Sequence, residues 1–279
     1  MKLKKIVLTG AAGRLGSYLR EPLTSLCEDL VSTDIEDVGK LYPGETFHKA
    51  DLANFDEMMA VIEGATMVVH MGAFVDEGPF EQLLGPNFIG SYNVWEAAFR
   101  TGARRVVYAS SIHAVGMYDK NECIDTEVPH RPDTFYGLAK CFSEDLGRMY
   151  WEKRGLESVH MRILSCAQVN NPRALGSYLS YDDLIQLVTR CIDTPVTGWA
   201  VVYGVSNNDR SPVDNSKATF LGYRPKDNAE VYAAEVLAAA EPLDPQDKGH
   251  MCHGGPFASV DLGNSGLAGM NVVDDRKEN

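Results

Sequence analysis

Tyr136 and Lys140 are the residues of this sequence best suited to acid–base chemistry. They are four positions apart, so a helix would place both side chains on one face. A free tyrosine has a pKa of about 10, which is too high for a base at neutral pH. A nearby ammonium stabilises the phenolate and lowers that pKa, so Tyr136 could take a proton from an alcohol. Ser111 adds a hydroxyl that would hold the substrate oxygen.

A Tyr-x-x-x-Lys pair alone usually belongs to a solvated helix face, but a glycine-rich turn accompanies it here. Gly10, Gly13 and Gly16 lie between a β-branched run and an amphipathic stretch. In that setting the first glycine permits a tight turn, the second lets backbone approach a pyrophosphate, and the third allows close helix packing. The helix N-terminus offers free N–H groups to phosphate oxygens. We therefore assign the turn, with Arg14 and Leu15, to a dinucleotide; the alternative is a glycine turn without a ligand.

Acidic residues follow the turn at two places. Asp34 ends the second predicted strand, where a carboxylate accepts hydrogen bonds from ribose hydroxyls and repels a 2′-phosphate. This favours NAD over NADP, and we include the adjacent Ile35 in the cofactor site. Asp51 and Leu52 lie where such folds contact adenine, although Asp51 could equally cap the next helix at Ala53.

Short β-branched runs alternate with amphipathic stretches, which is typical of βαβ units and a parallel sheet. The sequence predicts strands at Lys4–Thr9, Leu30–Thr33, Met67–His70, Arg105–Ser110, Ser158–Ile163 and Trp199–Val205, and helices at Arg14–Leu26, Phe55–Ile62, Asn87–Thr101, 134–153 and Tyr181–Cys191. We expect a doubly wound α/β core over residues 1–165, to which later elements return. Residues 166–279 would form a small substrate-binding cap and C-terminal tail.

Composition narrows the class of protein. The 279 residues are 44% hydrophobic and 23% charged, as in average globular domains, and no run approaches the ~20 apolar residues of a membrane span. The net charge of −13 repels a phosphate backbone, so we expect no nucleic-acid partner. This acidic excess fits either ordinary solubility or a high-salt habitat.

The six cysteines form no CxxC pairs, which suits reduced thiols in a cytoplasm. His250, Cys252 and His253 are clustered but lack a second pair of ligands, so we predict no metal site.

Four motifs together resemble the extended short-chain dehydrogenase/reductase family, over about residues 3–205. They are TGAAGRLG, Asn87-x-x-Gly90-x-x-Asn93, YASS ending at Ser111, and Tyr136-Gly-Leu-Ala-Lys140. The resemblance implies a Rossmann-type fold and NAD, with Lys140 also reaching the nicotinamide ribose. It implies that Asn87 anchors a proton relay through water. We also assign Met71, Gly72 and Ala73 to the cofactor, and we expect a homo-oligomer, as is common in this superfamily.

Later segments are similar to the uronate dehydrogenases. They are Arg131-Pro132-Asp133, KCFSEDLGRMY, MRILSC, SYDDLI, VVYGVSNND and LGYRPKDNAE, which extend the match to about Glu230. This resemblance implies oxidation of a hexuronic acid, such as D-galacturonate or D-glucuronate, at C1 to the aldarolactone. Such chemistry needs a base on the C1 hydroxyl, for which Tyr136 is the candidate, and a hydride acceptor facing C1.

The substrate carboxylate needs a cation, preferably a planar fork that binds it bidentately. Arg173 is the matching position, with a surface arginine as the alternative. The same resemblance implies that Ser111, His113 and Ser165 bind sugar hydroxyls and that Cys166 lies beside the nicotinamide. His113 could instead make only structural hydrogen bonds.

Val75 and Ile112 also fall at substrate-binding positions, but they stand where serine and asparagine are expected. This departure concerns the fine substrate preference and leaves the expected reaction unchanged.

Two other functions remain open. A nucleotide-sugar epimerase or dehydratase of the same superfamily would need room for a nucleoside diphosphate, which a cap of this size hardly offers. A non-catalytic NAD(H)-binding redox sensor would typically lose the tyrosine or the lysine, whereas Ser111, Tyr136 and Lys140 are all present.

Overall fold

Seven parallel strands form one sheet in the computed structural model, which describes residues 2–268 and 275–277. The strand order is β3-β2-β1-β4-β5-β6-β7. The strands are β1 Leu3–Thr9, β2 Cys27–Asp34, β3 Glu45–Lys49, β4 Met67–His70, β5 Arg105–Ser111, β6 Glu157–Ile163 and β7 Trp199–Gly204. Because the order reverses between β1 and β4, the carboxyl ends of these two strands open a crevice at the switch point.

Helices cover both faces of the sheet. They are α1 Arg14–Thr24, α2 Phe55–Ile62, α3 Phe80–Leu83, α4 Gly90–Thr101, α5 Phe135–Arg154, α6 Ala174–Ser177, α7 Tyr181–Asp193, α8 Ala233–Ala238 and α9 Lys248–Met251. On one face α1 and α7 pack their leucines on the strands, and on the other face α2, α4 and α5 bury Met58, Trp95 and Leu146. The predicted doubly wound α/β fold is confirmed.

Two segments differ from the predicted elements. The edge strand β3 was not predicted, because its sequence ETFHK carries a single large apolar residue, Phe47. Its first residue, Glu45, is buried against Arg20 with a distance of 2.7 Å between carboxylate and guanidinium. In addition, α3 and α4 are joined by a π-helical segment, Leu84–Ile89, where the sequence indicated one helix from Asn87.

Later elements return to the core, as β7 pairs with β6 along its length and α7 packs against α1. The connection after β7 and the segment 248–267 contact the loop that follows β5, since His253 and Gly254 donate to the carbonyls of Tyr118 and Gly116 and since Val213 pairs with Ile124. No helix among the described residues is both long and apolar enough to cross a bilayer.

Candidate functional site

The glycine turn between β1 and α1 is a cradle that side chains would fill. Gly10 has φ of +70°, and a Cβ on it would lie 2.4 Å from the Gly72 nitrogen. A Cβ on Gly16 would lie 2.1 Å from the Gly10 carbonyl oxygen. Gly13 is the N-cap of α1 and supplies no side-chain cap, so the first N–H groups of the helix face outward from the turn. These residues fit the pyrophosphate of a dinucleotide.

Asp34 ends β2 beside this cradle. Its carboxylate accepts hydrogen bonds from the backbone nitrogens of Ala12 (3.0 Å) and Glu36 (3.1 Å). The carboxylate therefore shapes the glycine turn, and its expected contact with the ribose stays a prediction. Ile35, which follows it, is exposed.

Asp51 and Leu52, which were expected to contact adenine, lie between β3 and α2. Asp51 is exposed and accepts a hydrogen bond from the Ala53 nitrogen at 2.9 Å, while Asn54 caps α2. Leu52 packs so closely on the loop after β4 that a Cβ on Gly72 would lie 2.9 Å from its Cδ1.

The loop after β4 is fixed by Thr9 and Asn87. The nitrogens of Met71 and Gly72 donate to the Thr9 carbonyl (3.2 Å) and hydroxyl (3.3 Å). The buried Asn87 amide accepts from the Phe74 nitrogen at 2.7 Å and donates to the Phe74 carbonyl at 2.9 Å. Asn87 thus holds this loop, including Ala73, in place; its role in a water relay stays a prediction.

The structure brings together Tyr136, Lys140 and Ser111, as expected. Thr134 caps α5, which places Tyr136 in the first turn of the helix and Lys140 one turn later. The Lys140 ammonium donates to the Ala109 carbonyl on β5 at 2.8 Å and lies 5.2 Å from the centroid of the Tyr136 ring. Ser111 ends β5, and its side chain lies close enough to Tyr136 to lower the pKa of the phenol.

Burial dominates the electrostatics of this group. It raises the pKa of Tyr136, and the nearby Ser111 side chain offsets only part of that effect. Burial also lowers the pKa of Lys140 to about 7. Lys140 is not among the groups that act on the pKa of Tyr136 in the protein chain by itself, so the lowering expected from Lys140 together with the nicotinamide ring stays a prediction.

His113 stands next to Tyr136 and is held on two sides. Its Nδ1 lies 2.7 Å from an oxygen of the buried Asp133 carboxylate. Its ring stacks on Phe257, with centroids 4.2 Å apart, and meets the Tyr136 ring edge-on at 5.6 Å. The sequence did not indicate that Phe257 would reach this site, since it lies in a tail without periodicity.

Arg173 is partly buried. Its guanidinium donates to the His253 carbonyl at 2.6 Å, and burial lowers its pKa while the carboxylate of Asp133 raises it. Ser165 follows β6 and pairs with Tyr178 in an isolated bridge. Cys166 is buried, which raises the pKa of its thiol to about 12.

The two positions that depart from the expected pattern differ in exposure. The Val75 side chain is 59% exposed. Ile112 is buried in an apolar cluster with Val115, Leu164 and Tyr203, so its side chain packs into the protein interior.

The C-terminal segment is attached to the catalytic group through Glu77. This side chain is only 1% exposed, and its carboxylate accepts from the backbone nitrogens of Tyr136 and Gly263, both at 2.9 Å. Asp76 accepts from the Ser265 hydroxyl and from the Gly266 nitrogen. The sequence carried no signal for these contacts, because neighbouring acidic residues in a loop usually face solvent.

The cluster His250, Cys252 and His253 does not converge on one point. His253 bonds through Nε2 to the Glu122 carbonyl at 2.9 Å, and His250 Nδ1 accepts from the Asp244 nitrogen. Within residues 2–268 and 275–277, no three His, Cys, Asp or Glu side chains are placed to hold a metal ion.

Comparison with known proteins places these features in a family. Residues 6–172 match the NAD dependent epimerase/dehydratase family. A uronate dehydrogenase of Pseudomonas putida is 41% identical over 91% of this chain and 95% of its own length. The crystal structure of an Agrobacterium tumefaciens uronate dehydrogenase variant complexed with NAD has a TM-score of 0.89 and 40% identity, covering 93% of this chain and 98% of that one. A glucuronic acid dehydrogenase of Chromohalobacter salexigens gives a TM-score of 0.90 at 38% identity, with the same coverage of 93% and 98%. This chain belongs to the NAD dependent epimerase/dehydratase family and, within it, to the uronate dehydrogenases.

Proposed function

We propose that this protein oxidises a hexuronic acid, D-galacturonate or D-glucuronate, at C1 to the aldarolactone, with NAD as the acceptor. The observation that carries the proposal is the Arg173 guanidinium, which is partly buried near the Asp133 carboxylate that also contacts His113. A cation that has lost part of its hydration favours an anionic ligand. In a protein of net charge −13, such a cation beside a hydroxyl-binding group suits a substrate with a carboxylate.

Tyr136 acts as the base. Bound NAD supplies the acceptor for the hydride that leaves C1, and its oxidised ring is positively charged. The Tyr136 oxygen takes the proton of the C1 hydroxyl as the C1–oxygen bond becomes the lactone carbonyl. Ser111 holds that oxygen with its hydroxyl, and the Lys140 ammonium, 5.2 Å from the centroid of the Tyr136 ring, stabilises the phenolate together with the nicotinamide ring.

Arg173 and His113 position the sugar. Arg173 anchors the C6 carboxylate, and His113 binds a ring hydroxyl. Ser165 lies at the end of β6, where it can bind a second hydroxyl. Ile112 contributes only through its backbone, because its side chain is buried in the apolar cluster.

The glycine cradle, Asp34 and the loop held by Asn87 bind the cofactor. Asp34 provides the preference for NAD over NADP, because its carboxylate opposes a 2′-phosphate. The loop that carries Arg173 forms one wall of the substrate pocket. The tail around Phe257 completes that wall, which supports a small cap instead of a second domain.

Two wider properties belong to the proposal. All six cysteines are free thiols, which supports a cytoplasmic location. Exposed apolar side chains on α4 and α5, namely Tyr92, Phe99, Leu138, Phe142 and Met149, support a homo-oligomer that buries this face. Light scattering should give a mass above 30.6 kDa for the wild type, and Phe142→Glu should shift it towards the monomer. A monomeric wild type would contradict the proposed homo-oligomer but not the proposed reaction.

The decisive experiment is the absorbance of NADH with galacturonate, glucuronate, UDP-glucose or no sugar. Steady NADH formation with a uronate supports the proposal. Turnover of the nucleotide sugar without net NADH would indicate an epimerase, and cofactor binding without any turnover would indicate a sensor.

A further inference from the structure

Asp133 is a buried carboxylate beside the proposed substrate pocket. The reaction outlined above gives this residue no role. One of its oxygens lies 2.7 Å from His113 Nδ1, and the other accepts a hydrogen bond from the Thr134 hydroxyl at 2.8 Å. A carboxylate only accepts hydrogen bonds, so the His113 proton lies on Nδ1. His113 Nε2 makes no hydrogen bond within the part of the chain that the structure describes.

Three glycines make room for this carboxylate. A Cβ on Gly116 would lie 2.0 Å from the Asp133 oxygen that faces His113, and a Cβ on Gly254 would lie 1.9 Å from the same oxygen. A Cβ on Gly137 would lie 3.0 Å from the other oxygen. Gly116 and Gly254 have φ of −62° and −66°, which alanine adopts readily. Gly116 and Gly254 are therefore glycines because a side chain would overlap the Asp133 carboxylate. Together with Gly137, they bring three separate segments of the chain against this one group.

Asp133 also acts on Arg173. The two side chains lie against consecutive residues, since a Cβ on Gly255 would be 2.7 Å from Arg173 Nε while one on Gly254 would touch Asp133. Burial disfavours the charged guanidinium, and the Asp133 carboxylate opposes that effect. The Asp133 carboxylate thus acts on both His113, which we propose binds a sugar hydroxyl, and Arg173, which we propose binds the substrate carboxylate.

We propose that Asp133 is the positioning residue of the substrate pocket: it fixes His113 with Nδ1 protonated, so that Nε2 accepts a hydrogen bond from a sugar hydroxyl, and it balances the charge of Arg173. This rests on the proposed function for the identity of the ligand. The orientation of His113 does not depend on it. Asp133 touches neither substrate nor cofactor and acts through these two side chains.

The direct test is the ring ¹⁵N spectrum of His113 in the full-length protein labelled with ¹⁵N-histidine. His113→Gln assigns the signals. At a pH where the ring is neutral, the wild type should show a protonated Nδ1 and an unprotonated Nε2, with or without NAD. A ring that carries its proton on Nε2 would overturn the proposal, whatever substrate the protein oxidises.

Kinetics provide the second measurement. Asp133→Asn should raise KM for galacturonate about tenfold or more, because a charged partner of His113 is lost, with a smaller change in kcat. Gly254→Ala keeps the carboxylate but displaces it, so it should raise KM in the same direction. Gly85→Ala is the matched control, since its Cβ would meet nothing closer than 3.7 Å.

Affinity for NAD, measured by fluorescence titration, should stay within about twofold in all three variants, because Asp133 lies outside the proposed cofactor crevice. An unchanged KM in both Asp133→Asn and Gly254→Ala would contradict the proposal. If Asp133→Asn fails to fold, Gly254→Ala and the wild-type spectrum decide. A wild type inactive on uronates would refute the proposed function, while the spectrum would still test the orientation of His113.

Discussion

Replacing Arg173 with alanine tests which residue recognises the carboxylate of the substrate. In the structure Arg173 has two connections. Its guanidinium donates to the His253 carbonyl at 2.6 Å, and it lies within the field of Asp133. The substitution therefore removes the proposed ligand for the C6 carboxylate and, at the same time, one attachment of the C-terminal segment.

The magnitude follows from these two parts. A hydrogen bond to a charged group contributes roughly 1.5–3 kcal/mol, and a bidentate guanidinium–carboxylate pair lies at the upper end of that range. A loss of about 3 kcal/mol corresponds to about a hundredfold in kcat/KM for a uronate. The lost bond to His253 loosens the segment that carries Phe257. That second effect applies equally to charged and neutral sugars, so the ratio of the two substrates isolates the carboxylate contact.

The assay is NADH formation with galacturonate and with neutral galactose, each over a range of concentrations. Arg173→Ala should lose about a hundredfold on galacturonate and little on galactose. Arg173→Gln keeps an N–H donor for the His253 carbonyl without the charge, and should show the same selectivity loss. Arg173→Lys should recover only part of the lost kcat/KM on galacturonate, because a single ammonium cannot form the two parallel hydrogen bonds of a guanidinium. Arg210→Ala is the matched control, since Arg210 is an exposed arginine paired with Glu230.

Equal losses on the uronate and on its neutral aldose would refute the assignment of Arg173. The residue would then serve to hold the C-terminal segment, and the carboxylate ligand would have to be another basic residue near the pocket.

Three further substitutions test other parts of the site and the core. Tyr136→Phe should abolish turnover and leave NAD binding nearly intact, because the cofactor is held by its phosphates and riboses; a rate above about a tenth of wild type would remove Tyr136 as the base. Asp34→Ala should weaken the preference for NAD over NADP by about 1–3 kcal/mol, measured as the ratio of kcat/KM for the two cofactors, and a wild type that uses both equally would contradict the role of Asp34. Glu144→Gln should cost roughly 3 kcal/mol in the free energy of unfolding at pH 7, because it breaks a buried pair with Arg162. Burial raises the pKa of Glu144, but hydrogen bonds from His130 and Arg162 outweigh burial and lower it to about 2. This stabilisation is complete above the unfolded pKa of 4.5 and is lost as the pH falls towards 2, so the difference from wild type should shrink between pH 5 and pH 3 in chemical denaturation.

The core elements were predictable where apolar residues repeat with a clear period. The helix that carries Tyr136 was expected over residues 134–153 and is observed at Phe135–Arg154. Its N-cap at Thr134 and its end before Gly155 bound the same stretch that the apolar repeat indicates. The edge strand β3 was missed, because ion pairing and not apolar burial stabilises its first residue, Glu45.

The site was predictable where a motif has a local mechanism and not where it depends on distant segments. Gly10, Tyr136 and Lys140 are defined by spacing within one turn or helix. In contrast, the stacking of Phe257 on His113 joins positions far apart in the sequence, and neither neighbourhood is periodic. The burial of the Tyr136 phenol, which raises its pKa in the protein chain by itself, could not be predicted, because spacing reports only the proximity of Lys140.

The bond between Glu77 and Gly263 has a consequence for the order in which the protein matures. Glu77 joins the backbone of Tyr136 to Gly263, which comes much later in the sequence. During synthesis the cradle between β1 and α1 emerges from the ribosome early, whereas residues 253–267 emerge much later. The dinucleotide crevice can therefore assemble on a growing chain, but the wall around His113 and Tyr136 closes only after translation has passed this segment. The nascent chain thus becomes able to bind a nucleotide before it can complete its sugar pocket.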